Sequence, residues 1–280
     1  MMTLPDTRLT RSYRQASHRP QPLALSWPGL ANRFASITLS EMDGVALLNR
    51  TDTKYVLTER QLYQALSALT ADYRILQVDG VRLNHYRTLY FDTPNFALYM
   101  RHHAGAFNRY KVRSRTYVDS ELAFLEVKHK VNDSRTIKTR LQTPSLLTEL
   151  ASEANHFLQA NYPNNPDLLE AKLWNEFQRI TLVSKKHPER LTIDLNLQFS
   201  RNKYSTVTLP GVVVAEVKQT GINRASNFIR QMRAMGIRST GFSKYCVGVS
   251  LLYQNVKHNN FKPKLLLLKK LMHKGKNYVH

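Results

Sequence analysis

Cysteine is almost absent from this chain, since Cys246 stands alone among 280 residues. An intramolecular disulfide is therefore excluded, as is any zinc or iron–sulfur site that needs several cysteines. Long apolar runs are also missing, because none approaches the roughly 18 to 20 residues that span a bilayer. The first forty residues lack the apolar stretch of a secretory signal. We therefore expect a protein of a reducing compartment, the cytoplasm.

Several familiar nucleotide and metal motifs do not occur. The chain has neither the phosphate-binding loop GxxxxGK[ST] nor the dinucleotide motif GxGxxG, and it has no HExxH and no paired CxxC. Conventional P-loop and Rossmann nucleotide sites are therefore excluded, and zinc hydrolysis has no support.

Acidic residues are scarce relative to basic ones. Lysine and arginine total 41 against 20 aspartate and glutamate, which gives a net charge of +21 and a pI of about 10.2. A chain this basic is typical of proteins that meet a polyanion. Hydrophobic residues make up 42% of the chain, too large a share for a disordered basic protein, so most of it should fold.

The charge distribution divides the chain into a basic N-terminal arm (1–40), a folded domain (41–256) and a basic C-terminal tail (257–280). The arm is expected to dock through its apolar stretch around Leu23 to Phe34. The tail has seven lysines and no acid, and Leu265 to Leu268 within it predict a short basic amphipathic helix. A solvated tail and a segment that binds a partner or an anionic surface at the inner face of a membrane are both open interpretations.

Several predicted strands carry charge on one face. Side chains alternate along a strand, so residues 109–117 place Arg109, Lys111, Arg113 and Arg115 together. Similar alternation in residues 122–130, 136–142, 191–199 and 212–218 groups Glu126 with Lys128, Lys138 with Arg140, Thr192 with Asp194, and Glu216 with Lys218. Exposure to solvent would explain one charged strand face. Several charged faces on successive strands favour a bound anion, because like charges repel each other across a sheet.

Helical patterns alternate with these strands. Thr58 and Gln61 form a capping box before an apolar face, residues 145–160 and 166–178 look helical, and a further helix ends at Gly236. We therefore predict an α+β fold. Its centre is an antiparallel β-barrel of about eight strands with a basic interior, and the helices pack outside.

A row of cations suits a row of phosphates, because arginine binds phosphate oxygens in pairs and lysine adds a mobile charge. Phosphoryl transfer needs the protein mainly to position the reactants and neutralise charge, usually with a divalent metal. Glu216 is the best candidate ligand for Mn²⁺ or Mg²⁺, since a lone carboxylate among cations contributes little to phosphate binding. An ion pair with a neighbouring lysine or arginine is the alternative. Glu126 and Asp194 are weaker candidates.

The chain also contains several motifs in a distinctive order. They are Arg50-x-Asp52-x-Lys54-Tyr55, Tyr90-Phe91-Asp92-Thr93, the alternating cations of residues 109–117, Phe124-x-Glu126-x-Lys128, Lys138-x-Arg140, Arg179, Arg190, Ala215-Glu216-Val217-Lys218 and Phe242-Ser243-Lys244-Tyr245. In order and spacing they resemble the VTC (vacuolar transporter chaperone) polyphosphate polymerase domain, a branch of the triphosphate tunnel metalloenzymes. The resemblance covers about residues 41–252.

The resemblance implies an eight-strand barrel around a basic tunnel, in which the γ-phosphoryl group of ATP passes to a growing polyphosphate chain with a divalent metal, often Mn²⁺. On this basis we assign catalysis to Lys54, Arg113, Arg115, Lys128 and Lys244. Substrate binding is assigned to Arg109, Lys111, Lys138, Arg140, Arg179, Arg190 and Lys218, and metal binding to Glu216.

One departure from the wider superfamily bears on the activity. Its hydrolytic members begin with ExExK, whereas the matching positions here are Arg50, Asp52 and Lys54, so a pair of carboxylates is missing and a polymerase is favoured. Two alternatives stay open: a tunnel hydrolase of tripolyphosphate or a nucleoside triphosphate, and a non-catalytic module that binds a polyanion. Nucleic acid is the less favoured polyanion, because cations that alternate with apolar residues suit a tunnel better than an open stacking surface.

Overall fold

The structure, a computed structural model, describes residues 25–43, 51–132, 135–151, 153–221 and 223–276. The strands are β1 (Ala35–Ile37), β2 (Thr51–Thr58), β3 (Tyr73–Leu76), β4 (Asn84–Asp92), β5 (Arg109–Tyr117), β6 (Leu122–Lys130), β7 (Thr136–Thr143), β8 (Glu170–Ser184), β9 (Glu189–Asn202), β10 (Ser205–Thr208) and β11 (Val212–Gln219). The helices are α1 (Trp27–Ala31), α2 (Leu39–Asp43), α3 (Glu59–Ser67), α4 (Ala97–His103), α5 (Glu153–Asn161), α6 (Asn227–Ala234), α7 (Lys244–Leu252) and α8 (Lys262–Lys276).

Eight strands follow one antiparallel path through the sheet, in the order β2, β11, β9, β8, β4, β5, β6 and β7. The sheet curls so that its two ends approach each other. Lys128 on β6, near one end of the path, interacts electrostatically with Lys54 on β2 and Glu216 on β11 at the other end. The predicted α+β fold with eight antiparallel strands is thus confirmed. Hydrogen bonds do not join β2 to β7 among the described residues, so this barrel is not closed by backbone pairing.

The outer face of the sheet is apolar and covered by helices. Leu62 on α3 and Phe228 on α6 pack with Ile193 of β9, and α1 joins the same core. Leu158 on α5 packs with Val112 of β5 on the other half of the sheet. These helices lie outside, as predicted, and α3 begins at the predicted capping box of Thr58 and Gln61.

Two helices differ from that expectation and pack against the interior face. Tyr245 on α7 and Leu268 on α8 share a buried cluster with Val56 and Val214. Val56 and Val214 lie two positions along their strands from Lys54 and Glu216 respectively, and hence on the charged face. One part of the interior is therefore apolar and filled by α7 and α8, while the remainder is charged.

The predicted helix over residues 166–178 is wrong. A short 3-10 turn, Pro166–Leu168, leads directly into β8, which lies between β4 and β9. Apolar residues at 169, 173 and 177 have a spacing of four, which is compatible with a helix but also places residues on one face of a strand. Of the predicted helix over 145–160, Glu153–Asn161 forms α5, and residues 145–151 are irregular.

Both basic ends of the chain contact the folded body where they are described. Leu30 and Phe34 of the arm are buried in the outer core, as expected, and the predicted C-terminal helix is observed as α8 with Leu268 buried. Lys269 of α8 is exposed, and binding of an anionic surface or a partner there stays a prediction. No described helix is long and apolar enough to cross a bilayer. Residues 1–24 of the arm and Arg50 lie outside the described residues.

Close packing of α7 gives a stability prediction at Gly248. A Cβ atom there would lie 2.5 Å from Leu173 Cδ2 and 2.7 Å from Phe199 Cδ1. Gly248→Ala should lower the free energy of unfolding by about 1 to 3 kcal/mol, because overpacking outweighs the better helix propensity of alanine. Urea unfolding measures this. Gly241→Ala is the control, since its methyl group would meet nothing within 4 Å; equal losses in both variants would contradict the packing of α7.

Candidate active site

Strand register brings the predicted cations onto the interior face. Lys54 lies opposite Glu216, and Arg113 lies opposite Glu126, which pairs in turn with Arg140. The register places on this face Lys54, Arg109, Lys111, Arg113, Arg115, Lys128, Lys138, Arg140, Arg179, Arg190, Glu216 and Lys218. Lys244 joins them from the first position of α7. We call the space that these residues line the tunnel.

Glu216 lies between two lysines. Lys54 Nζ is 2.5 Å from Glu216 Oε1, and Lys218 bonds the other carboxylate oxygen. Lys218 Nζ also donates to Thr192 Oγ1 at 3.0 Å. Burial alone would raise the pKa of Glu216, but Lys218 and Lys54 outweigh it and hold that pKa well below 4.5. The ion pair considered as the alternative for Glu216 is therefore present.

Asp194 occupies a similar position between Arg179 and Lys244. Arg179 forms a bidentate pair with its carboxylate, at 2.6 Å from Nε and 2.9 Å from Nη2, and Lys244 bonds Oδ2. Burial opposes ionisation, yet Arg179 and Lys244 lower the pKa of Asp194 to about 2. Asp194 therefore carries a fixed negative charge at neutral pH.

Glu126 is the third carboxylate of the tunnel. Its side chain is 1% exposed and is held by Arg113, at 2.6 Å from Nε, and by Lys138. Burial raises its pKa, but Arg113, Arg115 and Lys138 together outweigh burial, and the net pKa is far below its usual value. Each of the three carboxylates is thus ionised and shared between two cations.

Other cations of the tunnel have no such partner. Among the described residues, Lys111, Arg115 and Lys128 form no ion pair. Lys111 Nζ donates to Ser243 Oγ at 3.0 Å, and Arg115 Nε donates to Thr88 Oγ1 at 3.0 Å. These three residues therefore bring positive charge to the tunnel without an ion-pair partner, an arrangement that a bound anion would stabilise.

Burial and nearby cations lower the pKa values of two tunnel lysines. Burial in the tunnel and repulsion by Lys111 lower the pKa of Lys128 to about 8. Burial also lowers the pKa of Lys218 to about 8, although Glu216 opposes the shift. Lys128 remains accessible to solvent, as a side chain in an open tunnel can be. Both lysines therefore change charge near physiological pH.

Two predicted cations contact groups other than the three carboxylates. Arg109 Nη1 donates to the carbonyl of Ala106 at 3.1 Å, and the exposed Arg140 lies 4.7 Å from the Phe124 ring. Arg190 lies opposite Lys218 by register.

Aromatic side chains that the sequence analysis did not single out support the arginines. The rings of Tyr86 and Phe177 stack at 5.1 Å. Arg179 lies 4.9 Å from the Tyr86 ring and 5.2 Å from that of Phe177, and Arg115 lies within 6 Å of both. Phe177 was missed because it fell in the wrongly predicted helix. Its alternation with Arg179 and Thr181 was the available signal.

The donor set limits how a metal could bind. Among the described residues, no three His, Cys, Asp or Glu side chains are grouped closely enough to hold a metal ion. Glu216 is a single carboxylate, which suits Mg²⁺ or Mn²⁺ only where phosphate oxygens and water complete the coordination. The residues therefore fit a metal that arrives with a phosphate substrate.

A curled antiparallel sheet thus surrounds a space lined by cations, several of which form no ion pair among the described residues. The model of the VTC domain family matches residues 49–253, and the chain belongs to this family, which confirms the predicted resemblance. Family and site together support a tunnel-type enzyme that acts on phosphates.

Similar solved structures are distant. A proposed adenylyl cyclase from Hippeastrum, described as having a dominant triphosphatase activity, is 17% identical, with 74% of this chain and 99% of that chain covered and a TM-score of 0.44. A proposed adenylate cyclase from Bacillus halodurans is 12% identical, with 70% and 96% covered and a TM-score of 0.44. A conserved hypothetical protein from Pyrococcus furiosus is 9% identical, with 70% and 99% covered and a TM-score of 0.41. No curated protein matches the chain.

Proposed function

We propose that this protein is an ATP-dependent polyphosphate polymerase, which transfers the γ-phosphoryl group of ATP to a growing polyphosphate chain in the tunnel. The observation that carries the proposal is the group of uncompensated cations, Lys111, Arg115 and Lys128, beside three carboxylates that are already shared between cations. Such a lining has a large excess of positive charge. A run of phosphates is the ligand that matches it.

The proposed roles follow from the family motifs in which these residues lie. Arg113, Arg115 and Lys128 hold the triphosphate, while Lys54 and Lys244 neutralise the transferring group. The other cations bind the remainder of the chain; they are Arg109, Lys111, Lys138, Arg140, Arg179, Arg190 and Lys218.

Glu216 is the residue that would hold Mn²⁺ or Mg²⁺. When bound, such a metal would neutralise charge that develops during transfer. An incoming polyphosphate would compete for Lys54 and Lys218, which now engage the Glu216 carboxylate. Substrate binding would thereby release carboxylate oxygens for the metal.

The weak basicity of the tunnel carboxylates favours transfer to an acceptor phosphate over hydrolysis. A base that accepts a proton from the attacking water assists hydrolysis, and in the unliganded tunnel Glu126, Asp194 and Glu216 are weak bases because flanking cations lower their pKa values. The terminal phosphate of a polyphosphate chain is already an anionic nucleophile and needs no base. An acceptor phosphate is therefore the better match for these residues.

Product analysis tests the proposal. The purified protein is incubated with ATP and Mn²⁺, and the products are separated on a gel with a polyphosphate stain. Long chains support the polymerase. Free phosphate alone would indicate a hydrolase, and unchanged ATP would contradict catalysis by this chain alone.

Binding of tripolyphosphate should weaken as pH rises through 8. Lys128 and Lys218, both with pKa values of about 8, are positive below that pH, and a bound polyanion stabilises their protonated forms. Affinity should fall by about tenfold for each lysine between pH 7 and pH 9, as proton linkage requires. Calorimetric titration across this range measures the effect.

Lys128→Arg provides the matched control for this pH dependence. Arginine stays charged throughout the range, so the variant should bind more tightly than the wild type at pH 9 and show a shallower profile. An affinity of the wild type that does not change between pH 7 and pH 9 would contradict the assignment.

A further inference from the structure

Asp92, in the Tyr90-Phe91-Asp92-Thr93 motif, has no role in the proposed reaction, yet its carboxylate is completely buried. Oδ1 accepts from the backbone N–H groups of Thr93 at 2.7 Å and Leu98 at 2.8 Å. Oδ2 accepts from the N–H of Tyr99 at 2.8 Å and from the hydroxyl of Tyr245. Four donors thus compensate for the burial of this carboxylate.

Two of these donors explain how α4 begins. Its N-cap residue, Phe96, has a left-handed backbone with φ of 60° and makes no side-chain cap. The Asp92 carboxylate instead satisfies the N–H groups of Leu98 and Tyr99 in the first turn. These bonds account for a structural role in α4, but they do not require Tyr245.

The fourth donor connects Asp92 to the tunnel. Tyr245 follows Lys244 in the first turn of α7, and Lys244 Nζ bonds Asp194 and lies 4.6 Å from the Phe177 ring. In this position Asp194 attracts Lys244 and Arg179 repels it. The bond from the Tyr245 hydroxyl to Asp92 gives the start of α7 a buried contact next to these tunnel charges.

We propose that Asp92 is a positioning residue for Lys244: through the hydroxyl of Tyr245 it fixes the first turn of α7 so that the Lys244 ammonium group stays in the tunnel. This inference rests on the proposed phosphate-binding function of the tunnel. Asp92 thereby gains a role in substrate binding without contact with the substrate.

Tyr245→Phe in the full chain tests the link, because it removes one hydroxyl and keeps the ring. Calorimetric titration with inorganic tripolyphosphate should show binding weakened by about tenfold, the scale of a lost hydrogen bond to a charged group. Tyr99→Phe is the matched control, since its hydroxyl bonds the Lys257 carbonyl at 2.8 Å and Ser250 Oγ at 3.0 Å in the same aromatic cluster. It should change the affinity by less than about twofold at a similar loss of thermal stability.

A double variant separates positioning from general damage. If Tyr245 acts through Lys244, then Lys244→Ala with Tyr245→Phe should bind no more weakly than Lys244→Ala alone. Additive losses, equal losses in Tyr99→Phe and Tyr245→Phe, or unchanged binding by Tyr245→Phe would each overturn the inference. Wild-type protein that does not bind tripolyphosphate would instead contradict the proposed function itself, and the inference with it.

Discussion

Glu216→Gln should reduce metal-dependent turnover of ATP by about 100-fold to 1,000-fold, because the metal contributes several kcal/mol of charge stabilisation and each 1.36 kcal/mol is a factor of ten in rate. Glutamine keeps the shape of the side chain but is a poor ligand for a hard divalent cation. Steady-state rates with ATP and Mn²⁺ measure the loss. Excess Mn²⁺ should restore little of it.

The same variant should bind tripolyphosphate more tightly when no metal is present. Lys54 and Lys218 both engage the Glu216 carboxylate, and its neutralisation frees them for phosphate. We expect a gain of about tenfold, the scale of one charge-assisted hydrogen bond. Opposite changes in turnover and affinity distinguish a metal ligand from a carboxylate that merely balances charge.

Glu126→Gln is the matched control. Glu126 also lies between two tunnel cations, Arg113 and Lys138, so its neutralisation should likewise tighten the binding of tripolyphosphate. Turnover should stay within about tenfold of the wild type, since the metal-binding carboxylate is intact. Equal losses of turnover in the two variants would contradict the special role of Glu216.

Replacement of both Arg113 and Arg115 by alanine should abolish detectable chain formation. Each guanidinium supplies charge-assisted bonds worth about 1.5 to 3 kcal/mol, so the pair should cost about 100-fold to 10,000-fold in kcat/KM. Arg113→Ala also leaves the buried Glu126 with Lys138 as its remaining ion-pair partner among the described residues. Thermal unfolding must therefore accompany the assay.

Two further variants control this experiment. Arg87→Ala removes an arginine that pairs with Glu176 and lies 4.5 Å from the Trp174 ring, and it should leave kcat/KM unchanged. Replacement of Arg113 and Arg115 by lysine keeps both charges but loses the paired donors, so activity should be intermediate. A double alanine variant that folds and still makes long chains would contradict the assigned roles.

Most of the fold prediction came from the alternation of charged and uncharged side chains along the predicted strands. Residues 109–117 and 122–130 become β5 and β6 with the predicted bounds, because charged residues recur at every second position over much of each segment. Residues 170–184 carried this signal only over a short stretch, at Phe177, Arg179 and Thr181, because β8 is central and residues on both of its faces are buried. The central position of this segment in the sheet determines that it forms a strand, and the local sequence pattern does not encode that position.

The candidate site was predictable in part, for a similar reason. Lys54, Arg113, Lys128 and Glu216 come together as the motifs suggested, since register follows from strand pairing. The sharing of each carboxylate between two cations depends on contacts such as Lys244 with Asp194, which joins α7 to β9 across fifty residues. Sequence spacing alone could not place α7 against the interior face.

The most direct measurement follows the fate of the γ-phosphate. The protein is given ATP labelled at that position, together with Mn²⁺ and preformed polyphosphate, and the label is divided between polymer and free phosphate. A polymerase with weakly basic tunnel carboxylates should place most of the label in chains that grow with time. Label released mainly as free phosphate, at the same rate with and without the acceptor chain, would contradict transfer and identify a hydrolase.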